Sequence, residues 1–147
     1  MINQKIIAYS LSAILIAIGI VYFIVASNEY QDYKELADMG IKGETEEKQF
    51  EITFFTVTGI INLGLGAWIL RSREGGVTPY IISGVISFGL IVIYVASRTV
   101  GVPVVGVEYY IGRIDVISKI LQVIAIALSG IALYNIRKFR MVKEFVT

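Results

Sequence analysis

Asp115, Lys119 and Gln122 stand at i, i+4 and i+7, so a helix would carry a carboxylate, an ammonium and an amide along one stripe. Just upstream, Arg98, Glu108 and Arg113 complete the densest mix of charge, glycine and proline in the chain, SRTVGVPVVGVEYYIGRIDVISKILQ over 97–122. Glu108 and Arg113 have the charges to pair with each other or with Arg98 and Asp115. Such a group can do three things. It can neutralise itself and stiffen a connection, it can hold a ligand or ion on Glu108, Asp115 and Arg98, or it can use Glu108 and Asp115 as acid and base. The first is the favoured expectation. For Asp115 and Lys119 the simplest expectation is a buried structural pair, with the acid well placed near a helix N-terminus. A proton or cation relay needs further acids along the same apolar path, and the sequence offers none.

Other chemistries are excluded by residue type. The chain has no Cys and no His, which removes thiolate nucleophiles, disulfides, imidazole ligands to haem or copper, and the common zinc sites. Serines and threonines have no imidazole to activate them. The glycines fit no G-x-x-x-x-G-K phosphate loop. No catalytic, metal or cofactor-binding residue is assigned, and no cofactor is expected.

The elements that must position the polar stripe are apolar. Of 147 residues, 56% are hydrophobic and only 17% charged, well outside the usual soluble balance. The excess falls into four segments, about 6–27, 52–70, 79–97 and 114–136. Each is close to the ~20 residues that carry a helix across a hydrocarbon core about 30 Å thick. The expected fold is an all-α integral membrane four-helix bundle formed by one domain. The first apolar run is longer than the roughly 7–15 residues of a signal-peptide core and ends in Tyr22, Phe23 and Ser27, so it is expected to be a retained span. Small residues in the later segments (Gly59, Gly64 and Gly66; Ser83, Gly84, Ser87 and Gly89; Ala125, Ala127, Ser129, Gly130 and Ala132) suit close helix packing in lipid. Asn62, near mid-membrane, is expected to bond across a helix interface. Pro79 suits a first helical turn.

The polar stretch 28–51 is expected to be an acidic loop, with eight acids against three lysines and a local charge of −5. Tyr30, Tyr33, Leu36 and Ala37 recur at helical spacing, so the first helix can run on to Met39 before Gly40 and Gly43 stop it. The second connection, 98–113, turns at Gly101-Val102-Pro103 and again at Gly106. Val102, Val104, Val105 and Val107 suggest that it lies back on the bundle. Orientation follows from the cations: Lys5, Arg71, Arg73, Arg137, Lys138, Arg140 and Lys143 share one side. Positively charged short loops stay cytoplasmic, so both termini are expected inside and the 28–51 and 98–113 connections outside.

Ser97-Arg98-Thr99-x-Gly101-x-Pro103, then Val104-x-Gly106-x-Glu108 and Ile111-Gly112-x-x-Asp115, resembles a signature of small four-helix membrane proteins of bacteria and archaea. The resemblance is confined to these residues and the four-span layout. It implies that Arg98, Gly101, Pro103, Glu108, Gly112 and Asp115 are the positions to watch, without implying an activity. The Ile-, Lys- and Glu-rich style also looks like that of ammonia-oxidising archaea. In size and hydropathy the chain is similar to small four-helix accessory subunits of archaeal ammonia monooxygenase.

The expected function is a non-catalytic accessory subunit of a larger membrane complex in the cell membrane, with lipids and other integral subunits as partners and no nucleic acid. Arg98, Gly101, Pro103, Glu108, Gly112, Arg113, Asp115 and Lys119 are the candidate structural and docking residues. The alternative is a small oligomeric transporter or channel with a polar site near Glu108 and Asp115, its path lined by Thr56, Thr58, Asn62, Ser83, Ser87 and Gln122. An outer-face enzyme ranks last.

The absence of cysteine gives a clean background for a topology test. In intact cells a membrane-impermeant maleimide is expected to label Glu47→Cys and to spare Ser72→Cys until the membrane is permeabilised. The reverse pattern would invert the orientation.

Overall fold

A chain in hydrocarbon must satisfy its backbone internally, and runs of Ile, Leu, Val and Ala satisfy it as helix. In the computed structural model, which describes residues 3–72, 76–103 and 106–144 with side chains through 138, four helices follow one another. They are α1 (Gln4–Asp38), α2 (Lys42–Arg71), α3 (Thr78–Thr99) and α4 (Arg113–Glu144). All four are long and apolar enough to cross a membrane, and no strand occurs among the described residues. The expected four-helix, multi-pass architecture is the one found. Val104, Val105 and Arg73 lie outside the described residues, as do the side chains of Arg140 and Lys143.

The acidic stretch is not a loop. α1 continues to Asp38, as the Tyr30, Tyr33, Leu36 spacing indicated, and α2 begins at Lys42. Only Met39–Ile41 turns, with Gly40 at φ +74°; Gly43 is helical. The turn is closed by backbone bonds from Gly40 N to Ala37 O (3.1 Å) and Ile41 N to Leu36 O (3.2 Å), a left-handed glycine ending of familiar type. Lys48 explains why two acidic helices run on side by side. Its Nζ donates to Glu29 Oε2 on α1 at 2.6 Å and to Glu51 Oε2 on α2 at 2.9 Å. One cation thus holds two carboxylates that would otherwise repel. At the other end of α1, the Asn3 side chain caps the helix by accepting from Lys5 N. Pro79 lies in the first turn of α3, where its missing N–H costs nothing.

Packing is uneven. α1 and α2 lie together along their length through Gly19 and Gly59: a Cβ on Gly19 would sit 2.9 Å from Leu63 Cγ, and one on Gly59 3.1 Å from Phe23 and 3.2 Å from Gly19 O. Ser12 Oγ donates to Gly66 O at 2.8 Å across the same interface. α3 joins α4 through a hydrogen bond between the Ser83 and Ser129 hydroxyls, 2.8 Å. α4 buries Ser118, Gln122, Ala125, Ser129 and Ala132 in one stripe, the three-and-four spacing of a helix facing a core. α1 also packs on α4, whereas α2 and α3 barely meet. The molecule is therefore two helix pairs joined along α1 and α4, with a seam between α2 and α3.

Asn62 is fully buried, but it bonds within its own helix, donating from Nδ2 to Thr58 O at 2.8 Å. Asn readily bonds the carbonyl four positions back in its own helix. Asn62 Oδ1 and the Ser87 hydroxyl are buried without a partner.

Gly64 differs from Gly59 in that a Cβ there meets nothing within 4 Å. Gly59→Leu is expected to lower stability by about 1–3 kcal/mol through overpacking, while Gly64→Leu leaves it within about 0.5 kcal/mol. Denaturant unfolding of the two variants in matched mild detergent checks the contrast.

Candidate functional site

The site is built where α3 ends and α4 begins. Arg98, in the last turn of α3, reaches across the connection with both terminal nitrogens. Nη1 donates to the Glu108 backbone carbonyl at 2.8 Å and contacts Glu108 Oε2 at 2.5 Å. Nη2 donates to Asp115 Oδ2 at 3.1 Å. Asp115 also accepts from Gly112 N at 3.0 Å, which caps the start of α4. One guanidinium thereby ties the end of α3, the connector and the first turn of α4 together. The planar fork of Arg suits two simultaneous acceptors in a way that Lys does not.

The connector is shaped to deliver Glu108. Val102 and Gly106 exchange backbone hydrogen bonds, at 3.0 and 2.8 Å, around a tight turn that holds Pro103, and Glu108 N donates to Ser97 O at 3.0 Å. Gly101 makes this possible. Its φ is +83°, and an added Cβ would lie 2.9 Å from the Gly106 carbonyl carbon. Both the backbone sign and the space demand glycine here.

Of the residues expected to act together, Arg98, Glu108, Gly112 and Asp115 do so. Arg113 is exposed and belongs to no ion pair among the described residues. The expected Asp115–Lys119 pair is not made. Asp115 is taken by Arg98, and Lys119 turns inward, its Nζ 3.2 Å from Gln122 Oε1 and 3.5 Å from the Tyr22 hydroxyl. The ammonium also lies 4.7 Å from the centre of the Tyr94 ring, close enough for a cation–π attraction. Gln122 Nε2 in turn donates to the Tyr22 hydroxyl at 2.7 Å.

These groups surround a cavity of about 240 Å³ at the end of the bundle that carries both long polar segments. Its body is apolar, with Val21 and Val25 from α1, Phe54 and Phe55 from α2, and Leu90 and Ile93 from α3. Tyr22, Tyr94, Ser118, Lys119, Arg98, Asp115, Glu108 and Glu51 supply its polar wall and mouth. Val102 also lines it, so the connector does lie back on the bundle there. Among the polar ones, sequence reasoning missed Tyr22, Tyr94, Ser118 and Glu51. Tyr22 looked like part of an interfacial aromatic collar, Tyr94 like ordinary span, and Glu51 like one more acid in a solvated run. The usable signal for Glu51 was its place, three residues after Lys48 and directly before an apolar segment.

Three of the six residues proposed to line a path hydrogen-bond within the bundle, while the Ser87 hydroxyl is buried without a partner. Ser83 bonds Ser129, Gln122 bonds Tyr22, and Asn62 bonds its own helix, all inside the packed core. Glu108 and Asp115 both pair with Arg98 in salt bridges. Among the described residues no cluster of carboxylates is arranged to hold a metal ion.

Fold and site together define a multi-pass four-helix bundle with an ion-pair clasp over an end cavity. Comparison with protein-family models, with curated proteins and with solved structures finds no match to this chain.

Gly101→Ala is expected to cost at least the ~1–2 kcal/mol of a left-handed non-glycine residue, on top of the backbone clash. It should also detach the connector. Limited proteolysis between Gly101 and Gly112 should accelerate in that variant but not in Gly106→Ala, where a Cβ meets nothing within 4 Å and only the φ of +75° is strained.

Proposed function

We propose that the chain is a non-catalytic accessory subunit of a larger integral membrane assembly, of the kind found with membrane-bound monooxygenases such as archaeal ammonia monooxygenase. The observation that supports this reading is how the charges of the connector are used. Arg98, Glu108 and Asp115 are bound to one another and shape the backbone, which leaves no free acid, base or nucleophile in the clasp. The same backbone turns large side chains outward: Tyr109 is 86% exposed and Tyr110 77%, with Val100 and Ile111 beside them. Tyrosines on a fixed support are good anchors for a partner, because they bring much contact area with little entropy to lose. In this reading the termini are cytoplasmic, the clasp lies on the outer face of the cell membrane, and a neighbouring subunit docks over it.

Gentle solubilisation of source membranes followed by native electrophoresis and mass spectrometry is expected to find the chain in stoichiometric association with other integral subunits. Replacing Tyr109 and Tyr110 together by Ala should reduce that association roughly tenfold or more, the effect of about 1.4 kcal/mol, with helix content and melting temperature retained. Recovery of the wild-type chain alone as a stable monomer would overturn the proposal.

A further inference from the structure

The end cavity carries a separate inference, which does not depend on the subunit reading. Each of its acids already has a cation: Glu51 shares Lys48 with Glu29, and Asp115 and Glu108 share Arg98. Arg98 shares its charge between two carboxylates, and the excess negative charge falls on Glu108, whose side chain is half exposed at the mouth. Deeper in, the balance is reversed. Lys119 makes no ion pair within 4 Å among the described residues: its direct contacts are neutral oxygens and ring faces, and the Asp115 carboxylate one turn back acts on it from farther off while bonded to Arg98. A second donor is also unused, since Arg98 Nε is buried without a hydrogen-bond partner.

An ammonium drawn in among ring faces and neutral oxygens is costly unless an anion meets it, and the body of the cavity beside it is aliphatic and aromatic. The cavity also lies at the seam, lined on one side by Phe50, Phe54 and Phe55 of α2 and on the other by Leu90, Ile93 and Tyr94 of α3, the two helices that barely meet. About 240 Å³ is the volume of roughly eight waters at ~30 Å³ each. That is enough for a small head group and the first carbons of a chain, whose remainder would run out between α2 and α3 into the bilayer.

We propose that this cavity binds a long-chain fatty acid, its carboxylate accepting from Lys119 and its chain leaving through the α2–α3 seam. A carboxylate is an acceptor only, which suits a wall presenting donors. A single chain fits a seam between two helices, and its carboxylate is far more compact than a phospholipid head group. No bond is made or broken in this binding.

The test uses the purified full chain in nanodiscs, titrated with a long-chain polyene fatty acid whose fluorescence rises in apolar surroundings. The competitors are a saturated acid, the alcohol of matched chain and phosphatidylcholine. Saturable binding is expected, with the alcohol roughly tenfold weaker than the acid because it lacks the charge-assisted bond to Lys119. Lys119→Met should bring the acid down to the level of the alcohol and leave the alcohol unchanged. Val25→Trp, which fills the apolar body, should abolish both. Equal affinity of acid and alcohol for the wild-type chain would overturn the head-group assignment. Competition by phosphatidylcholine as effective as that by the acid would show bulk lipid as the occupant and overturn it too. Absence of saturable binding would overturn the site itself. The comparison of acid with alcohol on the wild-type chain decides the matter even if Lys119→Met does not fold.

Discussion

A guanidinium held between two carboxylates is the interaction on which the connector end of this molecule depends. Arg98 sits where α3 ends, Glu108 in the connector and Asp115 in the first turn of α4. In a medium of low polarity such a group is stable only when its donors are met and its charge is matched. Removing Arg98 would leave two carboxylates without a cation, so the other two residues depend on it. The rest follows geometrically. Fixing Asp115 fixes the start of α4, and one turn later the same helix carries Lys119 into the cavity, where Tyr22 and Gln122 receive it. The clasp thereby sets where Lys119 stands in the cavity.

The deeper half is held differently. There the helices meet through small residues and short hydrogen bonds, Ser12 to Gly66 and Ser83 to Ser129. Lipid gives little hydrophobic reason for helices to associate, so close approach and buried hydroxyls do the joining. Since α1 meets both α2 and α4, it is the spine of the molecule, and the α2–α3 seam is what remains once those faces are used.

The spans were legible because hydropathy and length are sufficient for them. The helical run through 28–51 was half legible: Tyr30, Tyr33, Leu36 and Ala37 pointed to it, whereas a local charge of −5 pointed to a solvated loop. What resolved the conflict is tertiary, since Lys48 meets Glu29 from nineteen residues away. The Asp115–Lys119 expectation failed for a related reason. Helical spacing says which residues are able to touch, but Arg98 offers Asp115 a better partner from another helix, and Lys119 has aromatic and amide neighbours inside. Gly101 and Gly112 were singled out from a pattern of residues; only the backbone angle at one and the N–H at the other give those positions a physical meaning. The cavity itself was not legible, because it is a property of where helices fail to touch.

The seam has a mechanical side. α2 and α3 are joined near one face of the bundle by the short link between Arg71 and Thr78, while their opposite ends continue into separate partners. Two rods hinged at one end widen most at the other, so any change in the angle between the helix pairs acts chiefly where the cavity lies. A span that mismatches the thickness of the hydrocarbon layer is accommodated by helix tilt or by local deformation of the bilayer. A change in helix tilt would therefore alter the width of the chamber more than that of the opposite end of the bundle.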